Sequence, residues 1–334
     1  MKPLNKSEIS NILFITLSNI GDVILTLPVL DVLAADFPNA DISVLVGPRA
    51  ESLFNGNPRI DKLHIYDKHA PIWVKLKLLW KLRKSKFDLV VDLRNTAIPF
   101  LINAKYRTFA LTDKDPCRHM KDKHLDLLRT VYKFDNVLRE QKALYVEEGD
   151  EIYAQNLLHQ NVKNDRFVVI APGAADHRKR WPAAYYAQLA DRIILSYGIA
   201  VVFVGDEKDK AIAEMIIRSM GNHGVNLCGQ LTLPQLVHIM RQAVLAIGND
   251  TGPLHVASYL DIPVLAFFGP TEPLQYGPWS SNCLYIKAKD TCEACVKKDN
   301  KIVHTCMEKL RPVNVLDAFV IQGRSVKFKF NDKY

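Results

Sequence analysis

The residues best equipped for chemistry lie late in the chain, in the stretch Ala246–Ala257, which contains Gly248-Asn249-Asp250-Thr251-Gly252 and His255. The apolar run Ala243–Ile247 stops at Gly248, and a helical pattern of Leu254, Val256, Ala257 and Leu260 starts directly after it. That order reads as strand, tight turn, helix. Amide groups that open a helix lack intrahelical acceptors and form a ready anion site, most often for phosphate. Asp250 or Thr251 can cap this helix, and Gly252 lets another group approach the backbone closely. A plainly capped helix fits the spacing equally well. A second turn follows the apolar strand Phe167–Ala171: Pro172-Gly173 leads into His177-Arg178-Lys179-Arg180 and then Trp181-Pro182. Phosphate contact and a solvated basic face explain that cluster equally well. Two phosphate-compatible turns in one half of a chain point to a nucleotide-linked ligand.

Two acidic positions add to this set. Asp22 stands after the first apolar strand, at the carboxyl edge where open α/β sheets place ligands. It suits either a general base or an acidic residue favouring a helix start through the dipole. Asp206 and Glu207 follow another strand and suit ribose hydroxyls or base edges, with helix capping as an equal alternative. In the tail, Cys292-x-x-Cys295 and His304-x-Cys306 carry zinc-ligand types, but the spacing is loose and reduced thiols with a packing role are expected; no metal is assigned.

The elements that must position these groups alternate strand and helix. Asn11–Thr16 is a buried β run, Val23–Asp36 a helix, and Ile42–Val46 the next strand, making one βαβ unit without the G-x-G-x-x-G fingerprint of dinucleotide binding. Further strands are expected at Lys62–Tyr66 and Phe87–Leu93. Between them, Ile72–Lys86 reads as an amphipathic basic helix, either covering the sheet or lying on an anionic membrane. Arg94, Arg107 and Arg118 form a candidate phosphate-contacting acceptor surface. A helix over Leu125–Phe134 and a run at Leu144–Val146 close this half, and the polar stretch Glu147–Arg166 marks the boundary. The second half runs through Phe167–Ala171, the helix Ala183–Tyr197, the strand Ile199–Val204, a helix over Lys210–Met220, the segment Leu233–Arg241, the strand Ile262–Phe268 ending in Gly269-Pro270-Thr271, and a last helix over Val313–Ile321.

A chain of 334 residues accommodates two domains, expected at 1–160 and 161–334. Its 44 Lys and Arg against 36 Asp and Glu give a net charge of +8, which favours acidic partners. Asn19 and Gly21-Asp22 interrupt the early apolar run, so neither a membrane span nor a signal peptide is expected. Cysteines without an export signal point to a reduced, cytoplasmic setting. Nucleic-acid binding is not expected, because only Trp73–Lys86 interleaves aromatics with basic residues.

Taken together, Gly21-Asp22, Pro172-Gly173, Lys179-x-Trp181-Pro182, Gly248–Pro253 with His255 and Ala257, Gly269-Pro270-Thr271 and Gly277-Pro278 give the chain a resemblance to the ADP-heptose:lipopolysaccharide heptosyltransferases, glycosyltransferase family nine, over about Asn11 to Pro278. The resemblance implies an α/β fold of GT-B architecture, two Rossmann-like domains with parallel sheets facing across a cleft, acceptor in the N-terminal domain and donor in the C-terminal one. It implies Asp22 as catalytic base, with Lys179 serving catalysis and donor binding together. Gly173, Asp250, Thr251, Gly252 and His255 would complete the diphosphate and sugar site, and Asp206 or Glu207 would contact the nucleoside. An unperturbed Asp titrates near ~3.9, so Asp22 would be ionised at neutral pH. The implied partners are ADP-heptose or another nucleotide sugar and a phosphorylated, lipid-linked core oligosaccharide at the inner-membrane surface, with no cofactor and no metal. Thr16 stands where relatives commonly carry a basic residue, leaving one phosphate contact to Arg178 or Arg180. A same-fold transferase for another nucleotide sugar or surface glycan is the alternative, and a non-catalytic nucleotide- or phosphoglycan-binding module a third reading. Retention of both Asp22 and Lys179 argues against the module.

Overall fold

The computed structural model describes residues 4–109, 115, 117–135, 143–269, 271–288, 292 and 305–329. The chain divides into two compact units, Met1–Glu147 and Glu148–Tyr334.

In the first unit, β1 (Asn11–Ile15), β2 (Asp41–Val46), β3 (Lys62–Ile65), β4 (Leu89–Asp92) and β5 (Tyr106–Arg107) form a parallel sheet in the order β3-β2-β1-β4-β5. Strands covered on both faces are written as unbroken apolar runs, and Ile12, Leu13, Phe14 and Ile15 are all buried. Helix α1 (Ile20–Asp36) is apolar on most sides and correspondingly buried. It is pinned to β1 by a buried contact of 2.7 Å between the Thr16 and Thr26 hydroxyls. Helix α2 (Ile72–Lys84) lays Leu78, Leu79 and Leu82 against the cluster of Leu13, Ile15 and Val90. The short helix α3 (Ile98–Leu101) and helix α4 (Met120–Arg129) complete the described elements of this unit.

The second unit opens with α5 (Glu148–Asn161), which the domain limits expected from sequence would have left in the first. Its partner explains the difference. Helix α5 packs on α8 (Leu233–Gln242), with Gln235 donating to Asp150 and Gln242 to Gln155, both at 2.7 Å. The six strands β6 (Phe167–Ala171), β7 (Ala200–Phe203), β8 (Val225–Asn226), β9 (Leu245–Asn249), β10 (Val264–Phe268) and β11 (Cys283–Lys287) are parallel, in the order β11-β10-β9-β6-β7-β8. Helices α6 (Ala183–Tyr197), α7 (Lys210–Ser219) and α9 (Gly252–Tyr259) connect them.

One expected element changes type. Instead of a helix over Val313–Ile321, the chain makes a short helix Pro312–Asp317 and then an antiparallel hairpin, β12 (Phe319–Gln322) with β13 (Ser325–Phe328). Phe319 and Ile321 are buried on alternate positions, and Gly323 takes the left-handed conformation that the tight turn needs, with φ +62°. A period of two therefore overrides the helical reading.

Candidate active site

Strand order decides where each sheet can hold a ligand. The order reverses between β1 and β4 in the first unit and between β6 and β9 in the second. Loops leaving the carboxyl ends of such neighbouring strands diverge and open a crevice. In the second unit those two loops are Pro172–Trp181 and Asp250–Gly252, the two turns singled out by composition.

Their approach is unusually close. A Cβ on Gly248 would lie 2.4 Å from the carbonyl oxygen of Ala171 on the adjacent strand, so only glycine permits this register. One residue on, the fully buried Asn249 joins the loops. Its Nδ2 donates to the carbonyl oxygens of Pro172 at 2.8 Å and Gly173 at 3.2 Å, and its Oδ1 accepts from the Trp181 amide at 3.0 Å. Trp181 is itself fixed against Tyr186 and Phe267 and donates its indole N–H to Leu310 O. Asn249 belongs to the motif but was not among the expected site residues; an amide flanked by glycine and aspartate gives no local sign that its partners lie in the other turn.

With the loops joined, the ammonium of Lys179 donates to Asp250 Oδ2 at 2.8 Å, and His255 Nε2 stands 3.5 Å from Asp250 Oδ1. Burial raises the Asp250 carboxyl, but His255 and then Lys179 outweigh it and hold the group at about 2. Asp250 is therefore an anion that accepts and never donates at neutral pH. This commitment overturns one expectation. Neither Asp250 nor Thr251 caps α9 with its side chain; the Thr251 hydroxyl donates to Asn249 O. The amides of Leu254 and His255 turn back to Thr251 O, while the Gly252 N–H opens the helix without a side-chain cap. Among the described residues, His255 Nδ1 and Thr271 Oγ1 are buried without a hydrogen-bond partner. Such groups are costly to bury unless a ligand or water satisfies them. Beside Asp250 the loops thus offer one ammonium, an open helix start and, at His255 Nδ1, an unmatched polar atom.

The acidic pair separates into two roles. Asp206 caps the turn Glu207–Asp209, accepting from the amides of Lys208 and Asp209 while the Asp209 carboxylate accepts from Asp206 N. Glu207 keeps an exposed carboxylate beside Gly229, whose φ of +74° favours glycine and whose missing Cβ leaves room for that group. The Arg178 guanidinium grips Asp176, holding that carboxyl at about 2, and Arg180 donates to Ala174 O. Thr16 is wholly buried, with its hydroxyl against that of Thr26 in α1.

In the first unit, Asp22 lies in the first turn of α1, where its carboxylate accepts from Asn19 Nδ2 at 3.0 Å and remains partly exposed. Across the strand-order reversal, the buried Asp92 shapes the neighbouring loop by accepting from the Arg94 and Thr96 amides and the Thr96 hydroxyl. Of the three arginines expected to meet an acceptor, Arg94 lies over the Tyr66 ring. Arg107 donates to Pro99 O and covers Phe100, and Arg118 pairs with Asp126. Each is engaged by a different partner. Of the tail ligand types, Cys306 is buried in the core, and Cys295 and His304 lie outside the described residues.

Two parallel-sheet units, the second with Lys179 and the open start of α9 at its strand-order reversal, define a doubly wound α/β fold. The model of glycosyltransferase family 9 (heptosyltransferase) matches residues 106–305, and the chain belongs to that family. It is 27% identical to lipopolysaccharide heptosyltransferase 3 of Escherichia coli, over 81% of this chain and 86% of that one. Its fold is similar to that of a family 9 glycosyl transferase from Veillonella parvula, with a TM-score of 0.80 at 23% identity over 94% of this chain and 96% of the other. It is also similar to that of the Escherichia coli ADP-heptose LPS heptosyltransferase II, with a TM-score of 0.72 at 23% identity, covering 92% and 96%. The GT-B fold class and the glycosyltransferase assignment follow. Among the described residues, no helix is long and apolar enough to cross a membrane.

Proposed function

We propose that this protein is an inverting heptosyltransferase that moves heptose from ADP-heptose to the inner core of lipopolysaccharide. Its acceptor is a phosphorylated, lipid-linked core oligosaccharide met at the cytoplasmic surface of the inner membrane. The observation that carries this reading is Lys179, held 2.8 Å from Asp250 beside the open start of α9 at the strand-order reversal. The names of its relatives supply the sugar.

In this reading the second unit binds the donor. Lys179 and the Gly252 amide stabilise the charge that grows on the diphosphate as the glycosidic bond breaks, a preorganised electrostatic contribution. Asp250 would repel phosphate, so its part is to hold Lys179 and His255 in place and to accept from a sugar hydroxyl. Glu207 accepts from the ribose hydroxyls, Asp206 being committed to its turn. Gly173 shapes the first loop by leaving the room that the Asp209 carboxylate fills, and Thr251 sets the helix start. Asp22, in the first unit, takes the proton of the attacking hydroxyl. The acceptor oxygen bonds to the anomeric carbon as ADP departs with the electrons of the broken bond, so one displacement inverts that centre. Lys179 supplies the positive charge at the leaving group, and no metal ion enters the scheme.

The test is turnover of ADP-heptose, UDP-glucose and GDP-mannose with a heptose-deficient lipid-linked core as acceptor. Product from ADP-heptose alone is expected. Transfer from a different nucleotide sugar in its place would replace the donor assignment, and no transfer from any would refute the reading.

A further inference from the structure

Helix α2 carries two apolar stripes, and only one is used by the fold. Leu78, Leu79 and Leu82 face the sheet, whereas Ile72, Trp73, Leu76 and Trp80 recur at helical spacing on the outer side. Their exposure is large: Trp73 is 65% and Trp80 61% accessible, which is unusual for the bulkiest apolar side chains. The patch continues onto α3, which packs against α2 and exposes Phe100 and Leu101. Charge borders this surface in one sign. Lys77, Lys81 and Lys84 flank the outer stripe, Lys84 standing 3.5 Å from the Trp80 ring centre, and no acidic residue occurs from Ile72 to Lys86.

We propose that this face of the first unit docks on an anionic lipid bilayer. Trp73, Trp80, Leu76 and Phe100 sit at the boundary between headgroups and acyl chains, with the lysines over the headgroups. Apolar burial and attraction to anionic lipid are the two contributions that hold an amphipathic helix in an interface. A water-facing helix needs neither the tryptophans nor the single sign of charge. The placement also has a consequence for the acceptor. Helix α3 begins two residues after Thr96, in the loop that Asp92 orders at the carboxyl end of β4, so the docked patch is continuous in sequence with the loop beside the β1–β4 reversal. The inference rests on the proposed lipid-linked acceptor only for its purpose, not for its geometry.

Co-sedimentation of the full chain with vesicles of phosphatidylglycerol and phosphatidylethanolamine, against vesicles of phosphatidylcholine alone, reads the binding. The parent protein is expected to partition roughly tenfold more strongly onto the anionic vesicles, and added salt should weaken that preference. W73S/W80S should lower partitioning by roughly tenfold or more, and K77E/K81E/K84E should abolish the preference for anionic lipid. Both variants should keep the parent's turnover on a delipidated, water-soluble core acceptor, which shows that they fold. No binding by the parent, or binding unchanged in either folded variant, overturns the proposal. So does sedimentation of the lipid-free parent as a dimer that W73S/W80S dissociates, since the face would then be an interface between copies. Vesicle binding without any sugar transfer would support the docking face and remove the acceptor reading, so the two can fail separately.

Discussion

Replacing Asn249 with alanine isolates the joint on which the proposed donor site is built. The side chain is fully buried and makes three hydrogen bonds, two to carbonyl oxygens of the first loop and one from the Trp181 amide. Alanine leaves all three groups without a partner in a region closed to water. At about 1 kcal/mol or more for each stranded group, the second unit should lose roughly 3 kcal/mol. The same change frees the segment that carries Lys179, so the ammonium no longer rests beside Asp250 and affinity for ADP should fall by about tenfold or more. Urea denaturation followed by circular dichroism measures the first effect, and calorimetric titration with ADP the second. Asn249→Asp separates the contributions: it can still accept from Trp181 but cannot donate to Pro172 and Gly173, and it should be no more stable than the alanine variant. A loss below about 0.5 kcal/mol with unchanged ADP affinity would refute the claim that Asn249 holds the two loops together.

Three further expectations concern the same site. Asp250 titrates at about 2 against an ordinary 3.8. Its stabilising effect is therefore complete above about pH 4 and lost as pH falls through about 2. Asp250→Asn should cost about 2 kcal/mol at pH 7 and flatten the stability profile in that acid window, as read by urea midpoints across pH. Gly248→Ala forces a methyl group to within 2.4 Å of the Ala171 carbonyl oxygen and should cost at least about 2 kcal/mol, measured by thermal unfolding. Glu207→Gln should raise the donor KM several-fold, roughly threefold to tenfold, with kcat little altered, because it weakens the proposed ground-state contact to the ribose.

Much of this site can be read from local sequence, and the limits have physical causes. Strands β1, β6, β9 and β10 are legible because parallel strands buried on both faces are written as continuous apolar runs. The turn from β9 into α9 is legible because a glycine-bearing break separates two different periodicities. What local pattern does not carry is pairing. That β6 lies beside β9, and therefore that Lys179 reaches Asp250, depends on contacts between distant segments. Asn249 is overlooked for the same reason. Capping is also ambiguous by residue type: Asp206, Asp209, Asp250 and Thr251 are all suitable caps, and only the competing partners of each decide which one serves. Asp206 has none and caps; Asp250 has Lys179 and His255 and does not. On α2 the helical period is plain, but it supports two apolar stripes, and sequence alone does not say which one meets the sheet. The hairpin Phe319–Phe328 fails to stand out because a short alternation of apolar residues also fits a helix of similar length.

The central claim divides the labour between the units, with the leaving group held by Lys179 and the start of α9 and the proton taken by Asp22. Asp22→Asn tests it most directly, with ADP affinity and ADP-heptose turnover measured on the same preparation. The account predicts an ADP Kd equal to that of the parent and a kcat lower by at least about a hundredfold, the usual scale of a lost general base. A variant that turns over at near the parent's rate, or that loses ADP binding in proportion to its activity, would contradict it.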